Sequence, residues 1–421
     1  MDGSCHYSLV HASSRQLHIY IYSIYSILII LYLSTQPLYC NAITMTPSTL
    51  SIVVKNNTSA PQLYAFVTGT ASQGVFFLRS DGVTPYYPAS PSSTLQPLSQ
   101  NCAVAVGGPG QSRTLTVPQL AGARIWFSQA KPLTFLLNPG PAVVEPSSTN
   151  AADPNYGVQW AFCEFTLNTS ELYVNVSYVD FFSIPVSLQL ENGAGKVTSV
   201  PGMPKGALDS ICTQLKAQAA KDGAGWDKLV VQSGGSNLRA LSPNSGSVMF
   251  PGLFDGYYQP YVDAVWNKYQ AADLTVNTQF QDWGNVVGRV DAAGKNLVFP
   301  SGYGSFAKPA AVDIFSCDSG PFAGGSGVTA QQLNVGARLA AALNRSTLLN
   351  GGQQPEGEDV GQYYTDKVTN HYSRICHAVS VGGRGYAFPY DDVGKTGGVD
   401  QSGFLSDGDP KVLTIGVGAP L

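Results

Sequence analysis

The chain has 421 residues, of which only 12% are charged, and its formal net charge at pH 7 is -4. A chain of this length favours two packed units over a single core. The low charge excludes the basic surface with which nucleic-acid-binding proteins contact phosphates, so we expect an uncharged or weakly polar partner. Glycine, with 45 residues, and proline, with 27, are typical of many short strands joined by turns.

The N-terminal segment has the features of an export signal. An apolar run at 19–33 is followed by the small residues Cys40 to Ala42, and the run is shorter than the about 20 residues of a membrane-spanning helix. We predict that residues 1–42 are a signal peptide and that the protein is secreted, with an uncleaved membrane anchor as the alternative. Five cysteines follow, so at least one thiol stays free or pairs outside the chain.

The segment up to residue 200 is rich in short β-prone runs. Clusters of Pro, Gly, Ser and Asn separate these runs, which indicates a β-sandwich or β-barrel. The predicted strands are 51–55, 63–68, 74–79, 112–117, 122–128, 160–168, 172–182 and 186–190.

Helical periodicity begins after Pro201. Apolar stripes predict helices around 208–215, 258–269, 333–343 and 364–375, with strand-like runs at 229–232 and 296–300 between them. Strand character returns at 386–388 and 412–417. We predict a β domain of residues 46–200 and 380–421, an inserted mixed α/β domain of residues 201–379, and a wide groove between them as the ligand site.

Two isolated carboxylates lie in the β-prone part of the chain. Glu164 stands in the run WAFCEFTLN and Asp180 in the run YVDFF. Hydrolysis of a glycosidic bond uses one protonated and one ionised carboxyl group, and apolar neighbours raise a carboxyl pKa, which suits the acid. On a regular strand, Thr166 and Asn168 share the face of Glu164. The pattern alone is equally compatible with two solvated strand residues that have no catalytic role.

Further strings extend this pattern along the chain. They are E-F-T-x-N at 164–168, a sixteen-residue step to Asp180, the helix at 258–269, CDSGPF at 317–322, AALNRS at 341–346 and AFPYDDV at 387–393. Together they resemble the glycoside hydrolase family 64 β-1,3-glucanases, over about residues 48–421. The resemblance implies a mainly β fold with α/β parts, in which a thaumatin-like β-barrel or sandwich domain carries the mixed α/β insertion.

The resemblance implies an endo-β-1,3-glucanase that inverts the anomeric centre by single displacement, with Glu164 as general acid and Asp180 as general base. The residues that it implies as glucan contacts are Thr166, Asn168, Tyr173 and Ser177. Tyr173 stands where the family usually has Trp, and Ser177 where it usually has Thr. Because 173 and 177 differ in parity from 180, a β-bulge between them is predicted if all three face the groove.

We predict no cofactor and no metal site. The histidines beyond the leader, His371 and His377, are six residues apart and do not share one face of a helix. The expected partner is a β-1,3-glucan polysaccharide, with no nucleic acid, a membrane only through an uncleaved leader, and a monomeric chain. The alternative function is a non-catalytic thaumatin-like β-glucan-binding or cell-wall protein.

Overall fold

The computed structural model describes residues 46–421. The predicted signal peptide lies outside the described residues, so cleavage and secretion stay predictions. Within 46–421, no helix has the length and apolar character needed to cross a membrane.

Most of the β structure lies in two sheets built by the N-terminal and C-terminal parts of the chain. The strands up to residue 200 are β1 (Thr49–Asn56), β2 (Leu63–Ala71), β3 (Gly74–Leu78), β4 (Pro85–Tyr86), β5 (Gln96–Pro97), β6 (Val104–Gly107), β7 (Ser112–Pro118), β8 (Leu120–Gln129), β9 (Leu136–Asn138), β10 (Ala142–Val144), β11 (Trp160–Leu167), β12 (Leu172–Val176), β13 (Phe181–Phe182), β14 (Val186–Asn192) and β15 (Val197–Val200). The later strands are β16 (Val230–Ser233), β17 (Ser236–Leu241), β18 (Leu274–Asn277), β19 (Asn285–Val290), β20 (Asn296–Val298), β21 (Ser305–Ala307), β22 (Gln353–Gln354), β23 (Phe404–Asp407) and β24 (Pro410–Val417).

A five-stranded sheet has the order β15-β14-β24-β1-β7, and an eight-stranded sheet has the order β23-β12-β11-β8-β2-β3-β4, with β6 also paired to β2. Strands β11 and β12 of the larger sheet pack against β14 of the smaller one. Alternation explains the inner faces: in β1, Leu50, Ile52 and Val54 are buried while Lys55 is exposed. The two C-terminal strands β23 and β24 therefore pair with strands that precede residue 201.

Neither of these sheets closes into a barrel within residues 46–421, so the barrel part of the barrel-or-sandwich prediction is wrong. Closure would require the edge strands of a sheet to pair with each other. At one edge of the larger sheet, β4 has only two residues and begins with Pro85, which has no N–H to extend the ladder. The broader prediction of a mainly β fold with several sheets and helices is confirmed.

The helices lie in the part of the chain between the two β segments. They are α1 (Ala207–Asp222), α2 (Pro243–Met249), α3 (Gln259–Ala271), α4 (Ala311–Ser316), α5 (Ala330–Arg345) and α6 (His371–Val379), with short 3-10 helices at Gly225–Leu229, Gly320–Phe322, Val360–Gln362 and Val381–Gly383. Two smaller sheets accompany them, with the orders β13-β17-β16 and β21-β20-β19-β18-β22. A third small sheet, with the order β10-β9-β5, belongs to the N-terminal β segment.

Three predicted elements differ from the structure. The strand predicted at 386–388 is absent, because only Tyr386 pairs there, in an isolated bridge to Ser177. The strand predicted over 172–182 is two strands, because β12 ends at Val176 and the chain bends at Val179 and Asp180 before β13. The helix predicted from 364 begins instead at His371, since Tyr364 has a left-handed φ of 60° and the Asn370 side chain caps the helix by accepting from the Ser373 N–H.

Candidate active site

Glu164 lies in the middle of β11, a central strand of the eight-stranded sheet. It faces Arg124 of β8 on one side and Asn175 of β12 on the other. The strand alternates as predicted: Cys163, Phe165 and Leu167 are buried, whereas Glu164 and Thr166 are half-buried on the opposite face. A central strand with paired neighbours on both sides gives the carboxyl group a fixed position.

Arg124 holds the Glu164 carboxyl group. Its Nε and Nη2 atoms both donate to Glu164 Oε1, each at 3.1 Å, and its Nη1 donates to Glu145 Oε2 at 2.6 Å. The guanidinium carbon lies 4.7 Å from the ring centre of Phe162 and 5.4 Å from that of Trp126. One arginine is therefore shared by two carboxylates and supported by two aromatic rings.

The Glu164 carboxyl has a raised pKa. Burial is the main cause; Arg124 lowers the pKa in part, and the negative charges of Asp180 and Glu145 raise it further. The side chain nevertheless keeps 36% of its surface exposed. Glu164 thus combines a tendency to stay protonated with access from solvent, which are the two requirements of a general acid.

Asp180 lies in the bend that follows β12. The Ser242 N–H donates to the Asp180 backbone carbonyl at 3.0 Å, and Ser242 also caps the first turn of α2. The half-buried Asp180 carboxylate raises the pKa of both Glu164 and Arg124, so it shares their electrostatic environment. The change of direction that was predicted as a β-bulge is instead the end of the strand followed by this bend, because β12 keeps an unbroken register with both neighbours.

Thr166 lies on the same face of β11 as Glu164, whereas Asn168 follows the end of the strand. The Thr166 hydroxyl accepts from the Gly122 N–H at 3.3 Å. Asn168 Oδ1 accepts from the N–H groups of Ser170 and Glu171 at 2.7 and 3.0 Å, so this side chain also stabilises the turn between β11 and β12. Its amide oxygen is therefore engaged in the turn.

Tyr173 pairs directly with Thr166 across β11 and β12. Its ring stacks on Phe404 of β23, with 5.2 Å between ring centres and 18° between the ring planes, and its hydroxyl lies 2.8 Å from that of Tyr386. Ser177 forms a β-bridge with the same Tyr386. Tyr386 therefore connects two of the residues that the resemblance implies as glucan contacts.

The sequence did not reveal four contributors to this site: Arg124, Glu145, Tyr386 and Phe404. Arg124 carried a signal, since it is a lone charge between the apolar residues Ala123 and Ile125 of a predicted strand. Glu145 lies in a Pro- and Ser-rich stretch that gives no indication of its partner. Within residues 46–421, no group of three or more His, Cys, Asp or Glu side chains could hold a metal ion.

The arrangement defines a class of protein. A reachable carboxyl group with a raised pKa, fixed on a strand and close to a second carboxylate, is what general acid–base cleavage of a glycosidic bond requires. Acid–base cleavage of this kind is the chemistry of the glycoside hydrolase class of proteins.

Comparison with known proteins gives the family. Residues 48–417 match the model of glycoside hydrolase family 64, described as Beta-1,3-glucanase, and the chain belongs to this family. A glucan endo-1,3-beta-glucosidase of Cellulosimicrobium cellulans is 30% identical over 381 residues, which cover 88% of this chain. The chain spans 65% of the length of that relative.

Solved structures show the same fold. A laminaripentaose-producing beta-1,3-glucanase, crystallised with laminaritetraose, superposes with a TM-score of 0.77 at 30% identity and covers 88% of this chain and 99% of its own. A beta-1,3-glucanase domain from Clostridium beijerinckii has a TM-score of 0.68 at 23% identity, covering 89% of this chain and 99% of its own.

Proposed function

We propose that the protein is an endo-β-1,3-glucanase that cleaves its substrate by inverting single displacement, with Glu164 as general acid and Asp180 as general base. The observation that carries this proposal is the state of Glu164: a carboxyl group with a raised pKa, held through one oxygen by Arg124 and reachable from solvent, beside the charge of Asp180. The family membership supports the reaction, and the relative that was solved with laminaritetraose supports the substrate class.

The chemistry proceeds in one step. Glu164 transfers its proton to the glycosidic oxygen while the bond between that oxygen and the anomeric carbon breaks. Asp180 accepts a proton from a water molecule, whose oxygen bonds to the anomeric carbon from the opposite face of the sugar ring. Inversion requires carboxyl groups about 6.5 to 9.5 Å apart, which leaves room for this water.

Thr166, Asn168, Tyr173 and Ser177 are the proposed glucan contacts on either side of the acid. A tyrosine ring offers a smaller stacking face to a sugar than the usual Trp, and Phe404 already packs against the ring of Tyr173. We therefore expect each sugar ring to contact less aromatic surface here than in relatives with Trp. We further propose that the β domain is thaumatin-like and that a groove lies beside Glu164.

Glu164→Gln tests the acid assignment. The amide keeps the shape of the side chain but has no carboxyl proton to donate, so we expect hydrolysis of laminarin, followed by reducing ends, to fall by about 10²–10⁴-fold. Glu191→Gln is the matched control, since Glu191 pairs with Lys411 on the five-stranded sheet and should keep full activity. Unchanged activity in Glu164→Gln would refute the assignment.

Asp180→Asn tests the base, and the product anomer tests the stereochemistry. We expect a comparable loss of hydrolysis in Asp180→Asn, with curdlan binding retained. Proton NMR of the first product released by the wild type should show the α-anomer. Curdlan binding by the wild type without any product would instead favour the non-catalytic glucan-binding alternative.

We also propose that the protein is exported, because its proposed substrate is a polysaccharide that is encountered outside the cell. Protein recovered from the medium should have an N-terminus close to residue 43. Recovery in the membrane fraction with Met1 intact would contradict export with cleavage.

A further inference from the structure

Arg124 and Glu145 form a hydrogen-bonded array with Glu164, and the inference drawn from this array rests on the proposed function of Glu164. Arg124 lies directly opposite Glu164 in the register of β8 and β11, and its three guanidinium nitrogens are divided between two carboxylates. Its side chain is 18% exposed, and Phe162 and Trp126 pack against the guanidinium plane. These supports leave the guanidinium with a single orientation.

The division of donors distinguishes the two oxygens of Glu164. Both bonds from Arg124 end on Oε1, and within residues 46–421 no hydrogen bond reaches Oε2. An oxygen that accepts two charge-assisted hydrogen bonds is less basic than one that accepts none. A proton on the carboxyl group therefore resides on Oε2, and this is the oxygen from which it can leave towards a sugar.

A single arginine would work against the acid, because a nearby positive charge favours the ionised carboxylate. Glu145 supplies the opposing charge: its Oε2 accepts from Arg124 Nη1 at 2.6 Å, while 29% of its side-chain surface is exposed. The two carboxylates and one guanidinium are neutral overall when Glu164 is protonated and carry one negative charge when it is ionised.

We propose that Arg124 and Glu145 act as a positioning pair, in which Arg124 orients Glu164 by Oε1 and Glu145 offsets the charge of Arg124, so that Oε2 keeps its proton. The other charged or titratable groups that act with Glu164 are Asp180 in the bend after β12, Tyr173 on β12 and Cys163 on β11 itself. None of these contacts the guanidinium of Arg124 by an ion pair, so Glu145 can be changed separately.

Glu145→Gln tests the pair through the pH dependence of kcat/KM. The amide oxygen can still accept from Arg124, but the negative charge is gone, so Glu164 should ionise at lower pH. Because the general acid must be protonated, the alkaline limb of the profile should move to lower pH by about one unit. The acid limb, which reports the base, should shift by less than the alkaline limb.

Arg124→Lys separates orientation from charge. The ammonium keeps the positive charge but loses the two donors that converge on Oε1, so kcat should fall about tenfold or more with KM little changed. A purely structural role would reduce the amount of folded enzyme and leave kcat per folded molecule unchanged. The matched control is Glu191→Gln, which removes a carboxylate from an ion pair on the other sheet and should leave the profile unchanged.

The outcomes distinguish this inference from the proposed function. If Glu164→Gln is inactive and Glu145→Gln leaves the alkaline limb in place, the positioning pair is refuted and the acid assignment stands. If Glu164→Gln retains activity, the proposed function itself fails, whatever the profile of Glu145→Gln. A shifted alkaline limb together with an inactive Glu164→Gln supports both.

Discussion

Two groups of charged side chains in this molecule contain similar residues but have opposite electrostatics. The Arg124 array consists of Arg124, Glu145 and Glu164, and the Asp391 array consists of Arg345, His377 and Asp391. In the Arg124 array, the Glu164 side chain is 36% exposed and its pKa is raised. In the second, the Asp391 side chain has no exposed surface, and its pKa is lowered although burial alone would raise it.

The numbers of partners explain the difference. Asp391 accepts from His377 Nε2 at 2.8 Å, from Arg345 Nη2 at 3.0 Å and from the Ala387 N–H at 2.9 Å, so one acid faces two cationic side chains. In the Arg124 array, two acids share one cation. The partners therefore act together with burial: the pKa of Glu164 is raised mainly by burial because its one cation is shared with a second acid, whereas the two cationic partners of Asp391 outweigh burial and lower its pKa.

The largest effect is expected from Asp391→Asn. This change leaves the cationic Arg345 and His377 buried without their shared carboxylate, and removing one partner of a buried ion pair costs about 3–5 kcal/mol of unfolding free energy. Urea unfolding at pH 7, with a constant slope, measures it. A loss below about 1 kcal/mol, the range of exposed pairs, would contradict the contrast between the two arrays.

The second prediction concerns pH and the two histidines of α6. His377 has acceptors on both ring nitrogens, the Gly383 carbonyl at 2.8 Å and the Asp391 carboxylate, so its pKa is raised by Asp391 despite the opposing effect of burial. The stabilisation that this raised pKa gives is fully present below about pH 6.5 and is lost as pH rises through the pKa of the folded state. The unfolding free energy should fall there by at most about 1.4 kcal/mol per pH unit.

His371 should have the opposite dependence. Its pKa is lowered to about 4 by burial and by Arg374, whose Nε donates to the ring Nδ1 at 2.9 Å. Its contribution is present above about 6.5 and is lost as pH falls towards 4. Urea unfolding across this range should show that His377→Gln removes the loss above pH 6.5 and His371→Gln the loss below it. Identical slopes in both variants would contradict these assignments.

The sequence predicted the Arg124 array in part and gave almost no indication of the Asp391 array. Alternation along 160–168 predicted Glu164, Thr166 and Asn168 on one face, and the structure has Glu164 and Thr166 on that face, while Asn168 lies in the turn after the strand. Arg124 was missed because its contact depends on the register between β8 and β11, which are 40 residues apart at this pair, and no local pattern encodes that register.

The Asp391 array was missed for a different reason. The adjacent residues Asp391 and Asp392 fit an exposed turn, and His377 fits the polar end of a helix, so each has an ordinary local explanation. Their contact arises only because the segment after α6 folds back on it. The same limit applies to 364–370, where apolar spacing continued the predicted helix but the left-handed Tyr364 and the capping Asn370 exclude it.

A third prediction compares the stability of the arrays directly. Arg124→Met keeps an unbranched side chain against Phe162 and Trp126 but removes the charge. Because Glu145 and Glu164 are partly solvated, they can rehydrate, and we expect a loss of only about 1 kcal/mol in the same urea assay. A loss as large as that of Asp391→Asn would show that the Arg124 array is also a structural ion-pair network.

The smallest effect is expected where both partners are exposed. Lys395 Nζ lies 3.1 Å from Asp359 Oδ1, with 44% and 75% of the two side chains exposed, so water and salt screen the attraction and ordering two flexible side chains offsets most of the gain. Lys395→Gln should change the unfolding free energy by less than about 0.5 kcal/mol. Glu356, whose carboxylate accepts from the Thr396 N–H at 3.2 Å, adds a further negative charge next to this pair. Suppose instead that Lys395→Gln lowers the unfolding free energy as much as Arg124→Met and that added salt removes this loss. Lys395, Asp359 and Glu356 would then act as a network, and side-chain exposure alone would no longer rank the ion pairs of this protein by their effect on stability.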